Sequence, residues 1–255
     1  MHIYKTGKVA FRFSPKPKEM LERVTSNLLS AAKNALLTPQ GKIVGVFDQL
    51  LADPDTCFLV ADGCAVETLR SIFSKYAPFS ATRWEQLEEP VYFDLGVEAR
   101  SSAVSDEAAG AVRGAETTVC VLPQAVGRIL VGGAFAVNVT EEDFTRFRLD
   151  QHMPQQGLDF NDEMLLNVFP EDYVSYTKGC FIGQEVIARV HNLSDPPKKL
   201  VVTYEDQCSP EQKKMMTSRQ ADAQGQVRGF LFVDNEKSGK REVYQSLKSQ
   251  FQPRP

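Results

Sequence analysis

Two apolar runs, N-A-L-L-T at 34–38 and K-I-V-G-V-F-D at 42–48, are separated only by Pro39, Gln40 and Gly41. Proline presets one turn dihedral and glycine accepts a positive φ, so this spacing predicts an antiparallel hairpin. The hairpin constrains what surrounds it, because its apolar side chains must be covered. Flanking segments supply the cover. K-V-A-F-R-F-S at 8–14 alternates as a strand with Val9, Phe11 and Phe13 on one face. Residues 15–32 place Met20, Leu21, Val24, Leu28 and Leu29 at helical spacing behind a Ser-Pro start. T-C-F-L-V-A at 56–61 reads as a buried strand, and 64–76 repeats Val66, Leu69, Ile72 and Phe73 at helical spacing. The order to this point is strand, helix, three strands, helix.

Residues 97–117 change character, being rich in Ala, Ser and Gly without an aromatic, and predict a mobile surface loop. Strands T-V-C-V-L-P at 118–123 and R-I-L-V-G-G at 128–133 follow, then a helix at 141–150 whose first turn is acidic, as the macrodipole prefers. N-L-S-D-P-P-K-K-L at 192–200 reads as a linker, since consecutive prolines neither continue a helix nor donate to a ladder. It divides residues 1–195, an α+β region, from a small β-rich module over 196–255 with strands K-L-V-V-T-Y and R-G-F-L-F-V-D around a polar stretch at 205–226.

Composition excludes several classes. With 42% hydrophobic and 24% charged residues, the chain is globular, not disordered, collagen-like or coiled-coil as a whole. Lys plus Arg number 29 against 33 for Asp plus Glu, which argues against a duplex nucleic-acid footprint. No run of apolar residues is long enough to predict a membrane span. The five cysteines are odd in number and contain no C-x-x-C pair, so they are not a disulfide framework, and a reducing, non-secretory compartment is expected. Cys57 and Cys120 fall on apolar strand positions and read as core. Three scattered histidines, His2, His152 and His191, offer no zinc-ligand spacing. Asp53-Pro54-Asp55 and Asp62-Gly63 read as turns and not as metal loops, and Trp84 as a packed loop aromatic. Lys5, Lys8, Arg12, Lys16 and Lys18 precede the first acid, a bias that an organelle presequence would share, though 8–14 reads first as a strand.

The densest chemistry lies in K-G-C-F-I-G-Q-E at 178–185, followed by V-I-A-R-V-H at 186–191. Gly179 and Gly183 permit close backbone approach, and Gly179 presents Cys180 where flanking amides face a ligand. Lys178, two residues away, favours the thiolate, which is the form that attacks electrophiles or ligates metal. Gln184 and Glu185 open the next element, where their side chains can bond orphan amides or a polar ligand. A structural reading of the same string also exists: a small core cysteine, a surface lysine and a glycine turn.

The string K-G-C-F-I-G-Q-E resembles the signature of the YgfZ family of folate-binding iron–sulfur maturation proteins, whose eukaryotic branch is the mitochondrial iron–sulfur assembly factor. R-V-T-S-N at 23–27, A-L-L-T-P-Q-G-K-I-V, T-C-F-L-V-A-D, F-T-R-F-R-L-D-Q-H-M-P and G-Q-E-V-I-A-R-V-H resemble further family segments, so the likeness spans about 8–200. It implies an aminomethyltransferase-like α+β fold related to the glycine-cleavage T-protein, with a C-terminal β-barrel-like module and a central folate-sized opening. It implies Cys180 and Lys178 as the residues carrying chemistry, with Cys180 a possible ligand to a cluster shared with a partner. Gly179, Gly183, Gln184, Glu185, Arg189 and Asn167 are the implied cofactor-binding residues. Family members often carry a proline-x-glutamate-x-asparagine element, and ungapped counting puts Leu165 at its glutamate and Asn167 at its asparagine. Glu163 or Glu171 reaches that position only if the backbone shifts.

The function implied is an accessory factor for [4Fe–4S] assembly in the mitochondrial matrix. Tetrahydrofolate and a transient iron–sulfur cluster would be its cofactors and an A-type scaffold protein its partner, with neither nucleic acid nor membrane involved. One thiolate does not hold a cluster alone, because such clusters take four ligands, so a partner supplies the others. The alternative is a folate-dependent aminomethyl or one-carbon transferase, which needs one acid to anchor the pterin and another to manage a proton. A cysteine hydrolase would require His152 or His191 to fold onto Cys180.

Overall fold

The computed structural model describes residues 1–96, 111–113, 118–169 and 172–235. Of the loop expected at 97–117, only Ala111–Arg113 lies among the described residues, and that segment is a strand. In chain order the elements are β1 (Ile3–Lys5), β2 (Lys8–Ser14), α1 (Pro17–Val24), β3 (Lys33–Leu37), β4 (Ile43–Asp53), β5 (Thr56–Asp62), α2 (Val66–Tyr76), β6 (Arg83–Gln86), β7 (Val91–Asp94) and β8 (Ala111–Arg113). They continue with β9 (Thr118–Pro123), β10 (Arg128–Val131), α3 (Glu141–Asp150), α4 (Leu165–Val168), α5 (Gln184–Leu193), β11 (Lys198–Tyr204), α6 (Pro210–Met215), β12 (Thr217–Ala221) and β13 (Val227–Asp234).

The strands form three sheets, ordered β3-β4-β5-β2-β6, β1-β7-β10-β9-β8 and β11-β13-β12. Every pairing between these strands is antiparallel, so the fold is α+β. Alternation along β2 sets the layers. Phe11 and Phe13 face α1 and α2, where they meet Met20, Leu21, Leu69 and Phe73 in one buried cluster. Phe73 stands edge-on to Phe13 with centroids 4.9 Å apart. Burying each such ring stabilises the fold by about 1.5–3 kcal/mol. Ala10, with Phe58 and Val60 of β5, faces the other way and packs against Val91, Phe93, Leu122 and Ile129 of the second sheet. A third cluster joins the β3–β4 hairpin to α4, Phe181 and Ile187, with Leu200 and Phe232 of the third sheet packed on it.

Three sequence readings change. The helix expected over 15–32 ends at Val24, because Thr25 turns extended and its hydroxyl donates to the Leu21 carbonyl at 2.8 Å. Ser26 and Asn27 then bond neighbouring chain segments in place of a helical ladder. Trp84 sits on a strand, β6, and not on a loop; it packs edge-on to Phe11 and Phe73 in the first core. The polar stretch at 205–226 contains α6 and β12. Among the described residues the C-terminal module is this three-stranded sheet, lying against α3 and α4.

Candidate functional site

A cavity of about 620 Å³ opens beside the ends of the first two sheets, closed by α3, the 151–158 segment and Tyr173. That is within the range of small-molecule sites. Phe47, Phe93, Phe144, Phe169, Tyr4 and Tyr173 give it an aromatic lining. A line of polar side chains crosses this lining, contributed by four different strands and the turn after β9. Lys33 Nζ donates to Gln124 Oε1 at 2.6 Å and also pairs with Asp48 Oδ1. The other Asp48 oxygen accepts from Lys8 Nζ at 3.3 Å, and Lys8 Nζ lies 3.8 Å from Asp62 Oδ1.

The two carboxylates are not equivalent. Burial pushes the Asp48 carboxyl up, but the Lys33 and Lys8 ammoniums outweigh it and hold the group below the usual carboxylate range. Asp62 is raised, because burial dominates and the Asp48 charge adds to the rise, while the Lys8 ammonium, the Gln156 backbone amide and the Arg148 charge oppose it only in part. At 3.8 Å the Lys8–Asp62 contact is an ion pair without a hydrogen bond. Asp62 Oδ1 is accordingly buried without a hydrogen-bond partner, and so are Gln124 Nε2 and Arg148 Nε, whose side chains line the same cavity.

The motif lies elsewhere. Gly183 caps α5 in the left-handed region at φ 84°. A Cβ there would stand 2.5 Å from the Thr38 carbonyl oxygen and 3.4 Å from Gly41 Cα, so the motif's second glycine packs against the predicted hairpin turn. Gly179 faces open space and Cys180 is exposed. Gln184 lines a smaller cavity of about 200 Å³, with Phe181, Ile187 and His191, where His191 stacks on Tyr176 at 3.8 Å. Glu185 and Arg189 are exposed on α5.

Lys178 has a structural task. Its ammonium donates to the carbonyls of Thr25 and Asn27 and sits 5.3 Å from the Phe181 ring centroid. Burial pulls this amine down to about 8, with the Glu22 carboxylate partly opposing. Ser26 Oγ donates to the Tyr173 carbonyl at 2.6 Å and Asn27 Nδ2 to that of Asp172 at 3.0 Å. The T-S-N segment therefore stitches down the chain that runs from the large cavity, at Tyr173, to Cys180.

Asn167 is buried, and its amide donates to Glu163 Oε1 at 2.8 Å while its own Oδ1 has no hydrogen-bond partner. Leu165 is wholly buried in the hairpin–α4 cluster and does not line the large cavity. Glu163 binds the start of α4, bonding the Met164 amide, and Glu171 lies outside the described residues. None of the motif residues 178–185, nor Asn167 or Arg189, lines the large cavity. Its polar wall is made of Lys8, Lys33, Asp48, Asp62 and Gln124, none of which belongs to the 178–185 motif. A signal was available, in that Asp48 and Asp62 are lone acids within or ending apolar strands, where an unpaired charge is costly. Asp62, read as a turn residue, ends β5 with its side chain buried.

No family model matches the chain. Its structure is similar to that of glycine cleavage system aminomethyltransferase T from Bartonella henselae, with a TM-score of 0.69 at 12% identity, over 91% of this chain and 78% of that one. The chain has the aminomethyltransferase fold. Within that fold the aromatic cavity sits among the sheets, while the cysteine of the glycine-rich motif stands outside it, at the exposed approach to α5.

Proposed function

We propose that the protein is an accessory factor for [4Fe–4S] assembly in the mitochondrial matrix. On this reading it binds a folate-class ligand in the large cavity and offers Cys180 to a cluster shared with an A-type scaffold partner. The observation that carries the reading is the separation of the two sites. A thiol that meets a macromolecular partner must be exposed, and Cys180 is; a thiol acting on a cavity-bound substrate must line the cavity, and Cys180 does not. The cluster is cargo here, and among the described residues no group of three or more His, Cys, Asp and Glu side chains converges to hold a metal. The cluster's remaining ligands therefore come from the partner.

A folate fits the cavity on its volume, on its aromatic lining and on the unpartnered polar atoms in its wall. When bound, such a ligand carries one-carbon units. This chain's contribution is the wall that orients it and the stitched segment from Tyr173 to Cys180. Lys178 then acts as a positioning residue, tying that segment to 25–27. Gly183, Gln184, Glu185 and Arg189 shape the surface at the start of α5, where the partner docks.

The second reading, a folate-dependent aminomethyl transferase, draws support from Asp62, a carboxylate within the cavity whose affinity for a proton is raised. The test is anaerobic transfer from a loaded A-type scaffold to an apo [4Fe–4S] client, followed by client activity. Cys180→Ala is expected to abolish maturation while Cys64→Ala retains it. Full maturation by Cys180→Ala overturns the assembly-factor reading, and turnover of an aminomethyl donor with tetrahydrofolate would install the transferase in its place.

A further inference from the structure

We propose that the polar line Gln124–Lys33–Asp48–Lys8–Asp62 is the surface that recognises the heterocyclic ring of the cavity's ligand. Asp62 accepts ring N–H groups, and Gln124 donates to a ring carbonyl. The proposal deepens the folate reading above and rests on it.

Some atoms of the line are already satisfied. Both Asp48 oxygens are taken, one by Lys33 and one by Lys8. Lys33 is shared between Asp48 and Gln124 Oε1. Lys8 and Lys33 keep N–H donors to spare, whereas one atom at each end of the line is buried without any hydrogen-bond partner: Asp62 Oδ1, an acceptor, and Gln124 Nε2, a donor. Buried polar atoms are rarely left so, and when they line a cavity a ligand is the natural source of the missing partners. Asp62 is 4% exposed, so bulk water is not its solvent.

The wall also selects the chemistry. Within the line each ammonium stands beside a carboxylate, so neither lysine offers a bare charge to a phosphate. The unpartnered acceptor and donor, with aromatic rings around them, suit a neutral, planar group that carries both N–H donors and a carbonyl. The lactam edge of a pterin has this pattern, with N–H donors at the ring amide and the exocyclic amine and a carbonyl beside them. Asp62, buried at the end of β5, offers its carboxyl group from the wall of the cavity itself.

The test is calorimetric titration of the full chain with tetrahydrofolate and with its 2-desamino-2-methyl analogue, which lacks the exocyclic donor. Wild type is expected to bind tetrahydrofolate and to lose about 10- to 100-fold in affinity for the analogue, the range of one hydrogen bond to a charged acceptor. Asp62→Asn should lose a similar factor for tetrahydrofolate and no longer distinguish the two ligands. If Asp62→Asn binds tetrahydrofolate as wild type does, or weakens for both ligands while still distinguishing them, Asp62 does not read the ring and the proposal falls. If wild type binds neither ligand at millimolar concentration, the folate reading falls with it. Should circular dichroism show Asp62→Asn unfolded, Gln124→Leu carries the same cycle against a ring analogue lacking the carbonyl. Undiminished discrimination by that variant is equally fatal.

Discussion

Arg148 and Asp159 form the most deeply buried ion pair described, with side chains 4% and 0% exposed and 2.7 Å between Nη1 and Oδ2. The pair joins α3 to the C-terminal sheet. Arg148 Nη2 donates to Ser218 Oγ at 2.7 Å, while Asp159 accepts from Thr217 Oγ1, Ser218 Oγ and the Gln155 amide. Ser218 reaches both partners from a left-handed backbone, φ 50°, where the β12–β13 register shifts. The consequences of breaking the pair are asymmetric. Asp159→Asn leaves a guanidinium buried, with its Nε already unpartnered, and is expected to cost about 3–5 kcal/mol. Arg148→Met leaves Asp159 with its other donors, so the loss is nearer that of a single hydrogen bond to a charged group, about 1.5–3 kcal/mol. The double variant should be less destabilised than the sum by at least about 1 kcal/mol, since neither charge is then stranded. Equilibrium urea unfolding reads this directly: with a slope of about 3 kcal/mol per molar, Asp159→Asn moves the midpoint down by about 1 M or more. Additivity of the two losses to within about 0.3 kcal/mol would refute the coupling, and with it the view that this pair clamps the C-terminal sheet to α3.

Two further outcomes follow from the motif loop. The Lys178 amine is at about 8 in the folded chain against an ordinary 10.5, so between those values the unfolded chain holds more protons. Stability attributable to Lys178 therefore rises with pH across about 8 to 10.5 and is flat below; the difference between wild type and Lys178→Met in urea midpoint should shift in that direction, and a pH-independent difference would contradict it. The motif's two glycines should behave oppositely on replacement by alanine. Gly183→Ala meets the Thr38 carbonyl from a positive φ and should lower stability by more than about 2 kcal/mol, whereas Gly179→Ala meets nothing within 4 Å and should be close to neutral in thermal unfolding.

What the sequence disclosed and what it withheld divide along a physical line. Periodicity is a local property, and the elements it specifies, the β3–β4 hairpin, β2, β5 and α2, appear where the apolar spacing places them, as α3 does behind its acidic first turn. The helix expected over 15–32 stops where polar side chains override spacing: Thr25 bonds back to Leu21, and Ser26 and Asn27 bond to Tyr173 and Asp172, partners that no local window contains. The motif at 178–185 was conspicuous because its residue types are unusual together. The cavity wall was not conspicuous, because each of its members is a single ordinary residue whose partners lie far away in sequence. Lys8 meets Asp48 across 40 positions and Lys33 meets Gln124 across 91. Nothing in a local pattern can pair them. The apolar strands nonetheless impose a condition on any chain of this kind: an acid such as Asp48, set between Phe47 and Leu50 in a buried strand, must find cations brought by other strands or destabilise the sheet. Asp48 finds both of its cations, and Asp62, at the end of the neighbouring strand, finds only one, at a distance too great for a hydrogen bond. Asp48 is thereby a residue that holds the fold, whereas the Asp62 Oδ1 stays buried without a hydrogen-bond partner.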